Sequence, residues 1–240
     1  MTRKPILITA MVAAAAFAFT PAQAAQSRAS ARVAERPAPV KPTSAEEADA
    51  SAQLGAGERR SPEAMRVLDW IAASRDNGNL PYIVIDKNAG VLFLLDAEGE
   101  VLGEAPILIG VAKGDLATPG IGSKKLSEIG PAEKTTPAGR FLSKYGRAVG
   151  NQRVLWVDYA TSVALHAVVR GNRRDRRLER LASESPEDKR ITYGCINVPT
   201  DFYQKTVKPL FAKDGGIVYV LPDTRPLEDV FPQLRAASYL

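Results

Sequence analysis

Apolar positions divide the chain into stretches of different character. Residues 6–19 are mostly apolar, residues 25–60 hold almost no large apolar side chain, residues 61–79 show a helical spacing, and from Tyr82 onward short apolar runs alternate with turn residues. Ser61-Pro62-Glu63 predicts a helix start, with Ser as N-cap and Pro at the first position. Met65, Leu68, Trp70, Ile71 and Ala72 supply its apolar stripe, and Asn77-Gly78-Asn79 ends it. That spacing makes Trp70 a packing residue. Beyond Pro81, residues 82–86 and 91–95 read as two strands joined by Lys87-Asn88-Ala89-Gly90, a hairpin turn. Asp96-Ala97-Glu98-Gly99 makes the next turn, and residues 101–109 continue in strand style. Further strands are expected at 141–144, 154–158, 162–168 and 217–221. About seven short strands with few helices predict a mainly β sandwich or barrel with added helices. Residues 110–137 form a long connection rich in Gly, Pro, Lys and Ser, a length that is often functional in a compact domain.

The two N-terminal stretches carry different messages. Arg3 and Lys4, the 14-residue apolar run and Ala22-Gln23-Ala24 form an export signal over residues 1–24, cleaved after Ala24. The run is shorter than the ~20 residues a spanning helix needs, so no stable membrane span is expected after cleavage. Residues 25–60 contain no aromatic residue, and their large aliphatics are Val33, Val40 and Leu54. Such a segment cannot offset its ordering entropy by burial, so a disordered linker is expected, with an end-to-end distance of roughly 30–35 Å. A helix at 61–79, a folded domain at 80–223 and a tail at 224–240 complete the expected organisation. No internal repeat is visible.

Composition narrows the chemistry. Of 240 residues, 32 are Lys or Arg and 27 Asp or Glu; cleavage would leave 30 against 27. That modest basicity calls for no nucleic acid, and an exported chain seldom meets one. The chain has one Cys and one His, which exclude an intramolecular disulfide and a zinc site built only from thiolates and imidazoles. No resolving cysteine supports a redox cycle. If a thiol nucleophile operates here, it is Cys195, and the sole imidazole available as its base is His166.

Cys195 lies in Thr192-Tyr193-Gly194-Cys195-Ile196-Asn197, ahead of a helix expected from Pro199-Thr200-Asp201 and carrying Tyr203, Val207, Leu210 and Phe211 on one face, with Pro209 breaking or kinking it. A thiol before a helix N-terminus leans towards thiolate, and the N–H groups of Tyr193, Gly194 and Cys195 could converge on an oxyanion. A buried, inert cysteine is the competing expectation. His166 sits in Val163-Ala164-Leu165-His166-Ala167-Val168, where strand alternation puts it on one face with Ala164.

These residues resemble the Ser/Thr-His-Gly-Cys-x-Asn signature of the L,D-transpeptidase (YkuD) family, which is preceded by a His on a strand, as His166 precedes Cys195 here. Thr136-Pro137-Ala138-Gly139-Arg140-Phe141 resembles that family's upstream Thr-Pro-x-Gly-x-Phe element. The resemblance spans about residues 80–223. It implies a YkuD-like fold and an enzyme of the periplasm or cell envelope that acts on stem peptides of peptidoglycan without metal or cofactor. Cys195, His166, Gly194 and Tyr193 would be the catalytic set. Cys195 would be acylated by the third stem residue with release of a terminal D-amino acid, and the acyl group would pass to an amine. With water as acceptor the enzyme would be an L,D-carboxypeptidase; a silent wall-binding module is the rival from another class. Tyr193 departs from the signature, which has His there. So does the 25-residue gap between His166 and Thr192, whose Arg-rich excess includes Arg173, Arg174 and Arg190. Those three arginines, with Thr192, form the expected substrate-binding set, since Arg matches carboxylates with two hydrogen bonds. Thr192 and Asn197 also suit a loop-holding role, because short polar side chains commonly bond nearby backbone.

Overall fold

The computed structural model describes residues 60–148, 150 and 152–235. The expected signal and linker lie outside the described residues, except Arg60. The first element among the described residues is helix α1 (Pro62–Ser74). Ser61 caps it: its Oγ accepts from the Ala64 N–H at 3.0 Å and donates to Asp86. Arg75, left-handed at φ 56°, closes the other end. The buried face is Ala64, Val67, Leu68 and Ile71 with Trp70, a run at i, i+3, i+4 and i+7. Met65 and Ala72, expected in the stripe, point outwards.

Ten strands follow: β1 (Tyr82–Asp86), β2 (Val91–Leu95), β3 (Val101–Pro106), β4 (Ile109–Gly110), β5 (Gly139–Arg147), β6 (Arg153–Asp158), β7 (Val163–Ala167), β8 (Arg190–Thr192), β9 (Ile196–Val198) and β10 (Gly216–Val220). The fold is mainly β, as expected. Eight strands form one sheet in the order β3-β2-β1-β10-β5-β6-β7-β9, and β4 pairs with β8. The run expected at 101–109 divides, because Ile107 turns to bond Gly90 and Leu108 leaves β3 to exchange both backbone hydrogen bonds with Asn197 of β9, at 2.8 and 2.9 Å. That exchange links the two edges, so the sheet nearly closes on itself.

The sheet has two differently covered halves. Strands β1, β2 and β10 are buried along their whole length. On one side lie Ile83, Ile85, Leu92, Leu94, Val218 and Val220, in a core shared with Leu155, Leu165, Ile196, Tyr203 and Phe211. On the other lie Tyr82, Val84, Phe93 and Tyr219, covered by α1 and by Leu227, Phe231 and Leu234 of the C-terminal segment. Burial on both faces is why these strands read as continuous apolar runs. In β6, β7 and β9 one face enters the core through Leu155, Val157, Leu165, Ile196 and Val198. Alternation turns Trp156, Ala164, His166 and Asn197 to the opposite face. Helix formation after Pro199 also holds, with Tyr203, Val207 and Phe211 buried. Pro209 does not break it. A wide turn over Tyr203–Val207, in which the Lys208 N–H reaches Tyr203 O, lets the chain continue into Lys208–Phe211.

Candidate active site

The segment holding Cys195 is a tight loop between two three-residue strands, β8 and β9. Thr192 is buried inside it; its Oγ1 donates to the Cys195 carbonyl at 2.6 Å and accepts from the Gly194 N–H at 3.1 Å. Gly194 has φ +127°, and a Cβ there would stand 2.7 Å from the Thr135 carbonyl. Only glycine fits both the torsion and the space. Thr136 locks the loop from the other side. Its Oγ1 donates to the Gly194 carbonyl at 2.8 Å and accepts from the Gly110 N–H at 2.9 Å. The Thr-Pro element and the Cys element, 58 residues apart at this bond, are therefore one structure.

Parallel pairing of β7 with β9 sets His166 beside Asn197 and Leu165 beside Ile196. Cys195, one residue earlier, falls beside Ala164 on the face that carries His166. The imidazole has its state set by its partners. Nδ1 stands 2.8 Å from the Ala167 carbonyl, which can only accept, so Nδ1 carries the proton and Nε2 is an acceptor. Nε2 takes a hydrogen bond from the Asn197 amide at 3.1 Å. The buried Asn197 side chain is itself oriented by Arg177, whose Nη1 donates to its Oδ1 at 3.2 Å. Burial holds the His166 pKa below its ordinary value; the Ala167 carbonyl opposes this and the Arg177 charge reinforces it.

Cys195 is half-buried, and its thiol donates to the Ser162 carbonyl at 3.7 Å. Burial pushes its pKa up, against the pull of the Ala164 N–H. The expected lean towards thiolate is therefore absent in this state. The helix expected to favour it starts only at Thr200, beyond β9. Among the described residues no hydrogen bond joins Cys195 to His166. The register puts Cys195, one residue before β9, on the face of β7 that carries His166, but each is held by another partner.

No family model matches the chain, and no curated protein matches it. Solved L,D-transpeptidase domains are similar to it. The domain from Xylanimonas cellulosilytica aligns at TM-score 0.36 with 14% identity, over 59% of this chain and 60% of that one. The E. faecium catalytic domain aligns at 0.32 with 20% identity, over 59% of this chain and 96% of that one. The helical cell shape determining protein Pgp2 from Campylobacter jejuni aligns at 0.41 with 14% identity, over 66% of this chain and 56% of that one. The aligned part thus spans 60% of the first of these proteins and 56% of the last.

The remaining site residues fall into three environments. Tyr193 is exposed, and the Lys134 ammonium sits 3.8 Å over its ring. Arg173 and Arg174 are exposed in a turn (Arg173–Asp175) that leads to helix α2 (Arg177–Ala182). Arg173 lines a 190 Å³ cavity with Arg170, Arg176 and Arg177. Arg190 lies elsewhere: its guanidinium holds Asp223 at 2.7 Å, with 8% of the side chain exposed, and reaches the Ala112 carbonyl. That bond belongs to a buried ionic cluster. Lys87 Nζ donates to Asp115 at 2.8 Å and to the carbonyls of Gly114 and Thr136, with Asp223 3.4 Å away. Asp115 also accepts from the N–H groups of Asp223, Thr224 and Arg225. Burial alone would raise the Asp115 pKa, but the Lys87 and Thr224 hydrogen bonds and the Lys87 charge hold it well below the carboxylate range. The cluster pins the long 110–137 connection behind the Cys loop. Sequence reasoning placed Lys87 in a turn and assigned nothing to Asp115 or Asp223, since no spacing brings the three together. Arg177 went unmarked among its arginine neighbours for the same reason.

Proposed function

We propose that the chain is a cysteine acyltransferase of the L,D-transpeptidase type, acting on peptidoglycan stem peptides outside the cytoplasmic membrane. The observation that carries this reading is the placement of Cys195 and His166 on one face of paired strands, with Nδ1 of His166 tied to the Ala167 carbonyl and Nε2 left as the acceptor. Activation begins when Sγ leaves the Ser162 carbonyl and Nε2 leaves the Asn197 amide. His166 Nε2 takes the thiol proton as Sγ attacks the carbonyl of the third stem residue. The amide C–N bond then breaks. His166 returns the proton to the departing D-amino acid, and a thioester remains. An acceptor amine attacks the thioester, loses its proton to His166 and expels Sγ, which is reprotonated.

The Gly194 N–H is already bound to Thr192 Oγ1, so oxyanion stabilisation falls to the N–H groups of Cys195 and Tyr193. Thr192 and Thr136 hold the loop. Export fits the N-terminal signal.

Hydrolysis is the second reading. It is favoured by the exposed Tyr193 under Lys134, where the family signature has His. The test is intact mass after incubation with disaccharide-tetrapeptide, alongside Cys195→Ala and His166→Ala. The expected result is an acyl adduct on Cys195, followed by cross-linked dimer and absent from Cys195→Ala. An adduct that yields only hydrolysed tripeptide establishes the carboxypeptidase. A folded protein with neither adduct nor product overturns both readings and leaves a wall-binding module.

A further inference from the structure

The cavity lined by the turn before α2 and the start of α2, joined to His166 through Arg177 and Asn197, has the chemistry of an anion site. Four arginines, Arg170, Arg173, Arg176 and Arg177, line it against one carboxylate, Glu179. Glu179 is bound to Arg176, and Arg177 Nε to Asp175 at 3.1 Å. Arg170 and Arg173 have no anionic partner among the described residues. The cavity is open to solvent, and its inner arginine touches the residue that holds the base: Arg177 to Asn197 at 3.2 Å, Asn197 to His166 at 3.1 Å. An anion bound here lies two side chains from the imidazole that serves the scissile bond.

We propose that Arg170, Arg173 and Arg177 form a carboxylate subsite for the free carboxylate of the departing terminal D-amino acid. This deepens the functional reading above and rests on it. A planar carboxylate takes two hydrogen bonds from a guanidinium, and a second arginine fixes its position. The subsite makes the enzyme exo-acting: a stem ending in a free carboxylate is held and one continuing past that point is not. It also couples recognition to chemistry. Arg177, from α2, is the charged group that bears on the imidazole; Cys195, one residue before β9, is the titratable group that the register places on the same face. Burial is the main reason His166 is neutral, and the Arg177 charge adds to it; a carboxylate on Arg177 offsets that added part, so the base strengthens when the donor is in place. By linkage, proton and carboxylate then bind with positive cooperativity.

The test uses the full chain with Cys195→Ala, which binds donor without turnover. The probes are disaccharide-tetrapeptide and its C-terminal amide, with affinity read by calorimetry. The single imidazole, read by NMR, reports His166. Amidation is expected to weaken binding at least ten-fold. The double variant Arg170→Gln/Arg173→Gln should weaken the acid ten-fold and leave the amide unchanged. The acid should raise the His166 pKa, and Arg177→Gln should abolish that rise. Equal affinity for acid and amide, no binding of the acid, or a double variant that binds the acid normally would each overturn the subsite. Acylation of Cys195 in the wild-type chain is scored separately. An adduct formed regardless of amidation leaves the enzyme and removes the subsite. Selective acid binding without an adduct does the reverse.

Discussion

His166 is the sole imidazole of the chain, and its protonation is governed by three neighbours. Burial disfavours the imidazolium, the Arg177 charge adds to that, and the Ala167 carbonyl pulls the other way. The folded pKa is thus below the ordinary value of about 6.5 that the unfolded chain has. Between the depressed folded value and about 6.5 the unfolded chain binds more protons than the folded one. Stability therefore rises with pH through that window, and the contribution is lost as pH falls through the folded pKa. Denaturant midpoints measured from about pH 5 to pH 7 should show this slope, and His166→Gln should flatten it. An unchanged slope in the variant would remove His166 as its source. The residue scale also shows the limit of motif reading. Cys195, Gly194 and Thr192 are where the signature places them. The thiol's raised pKa and the engaged Gly194 N–H come from contacts with Ser162 and Thr192 that no motif records.

At the scale of elements, the connection over 110–137 owes its shape to buried charge. Its three short turns (Ile121–Ser123, Leu126–Glu128 and Pro131–Glu133) bury little beyond Ile121. What fixes it is Asp115, which is bound to Lys87 and to three consecutive backbone N–H groups after β10. Asp115→Ala leaves the fully buried Lys87 ammonium with Asp223 as its one remaining carboxylate among the described residues, itself shared with Arg190. Removing one partner of a buried ion pair costs about 3–5 kcal/mol. The expected outcome is a lowered denaturant midpoint of that size, with Thr136 and the Cys loop loosened. A shift under about 1 kcal/mol would mean that water replaces the lost carboxylate. Strands β8 and β9 belong to this scale too. Three residues each, they are too short for alternation to mark, and they exist because β4 and β7 offer edges to pair with.

At the scale of the molecule, the candidate site and the stabilising core lie on different faces. Cys195 and His166 occupy the face of β7 and β9 turned away from the core, while α1 and the C-terminal segment cover β1, β2 and β10. Trp70 meets Tyr219 edge-on at 6.0 Å and Phe231 at 6.4 Å, which ties the two flanking pieces together. Phe231→Ala is expected to lose about 3–5 kcal/mol by opening a cavity there. At a temperature where it stays folded, acylation of Cys195 should proceed at the wild-type rate. A slowed acylation in the folded variant would show that this layer reaches the site.

The sequence by itself determined the mainly β class, β1 and β2 to the residue, the helix start at Ser61-Pro62, and the single Cys and single His from which the proposed nucleophile and base are drawn. Each is a local signal: apolar periodicity, turn chemistry, a cap, or a residue type present once. The tertiary structure decided how the sheet nearly closes through Leu108 and Asn197, which carboxylate Arg190 holds, and which arginine reaches Asn197 beside His166. Those depend on atoms brought together from 20 to more than 100 residues apart, as in Arg177 with Asn197 and Asp115 with Arg225. Sequence spacing carries no such information, because the chain between two contacting residues can take any path the core permits.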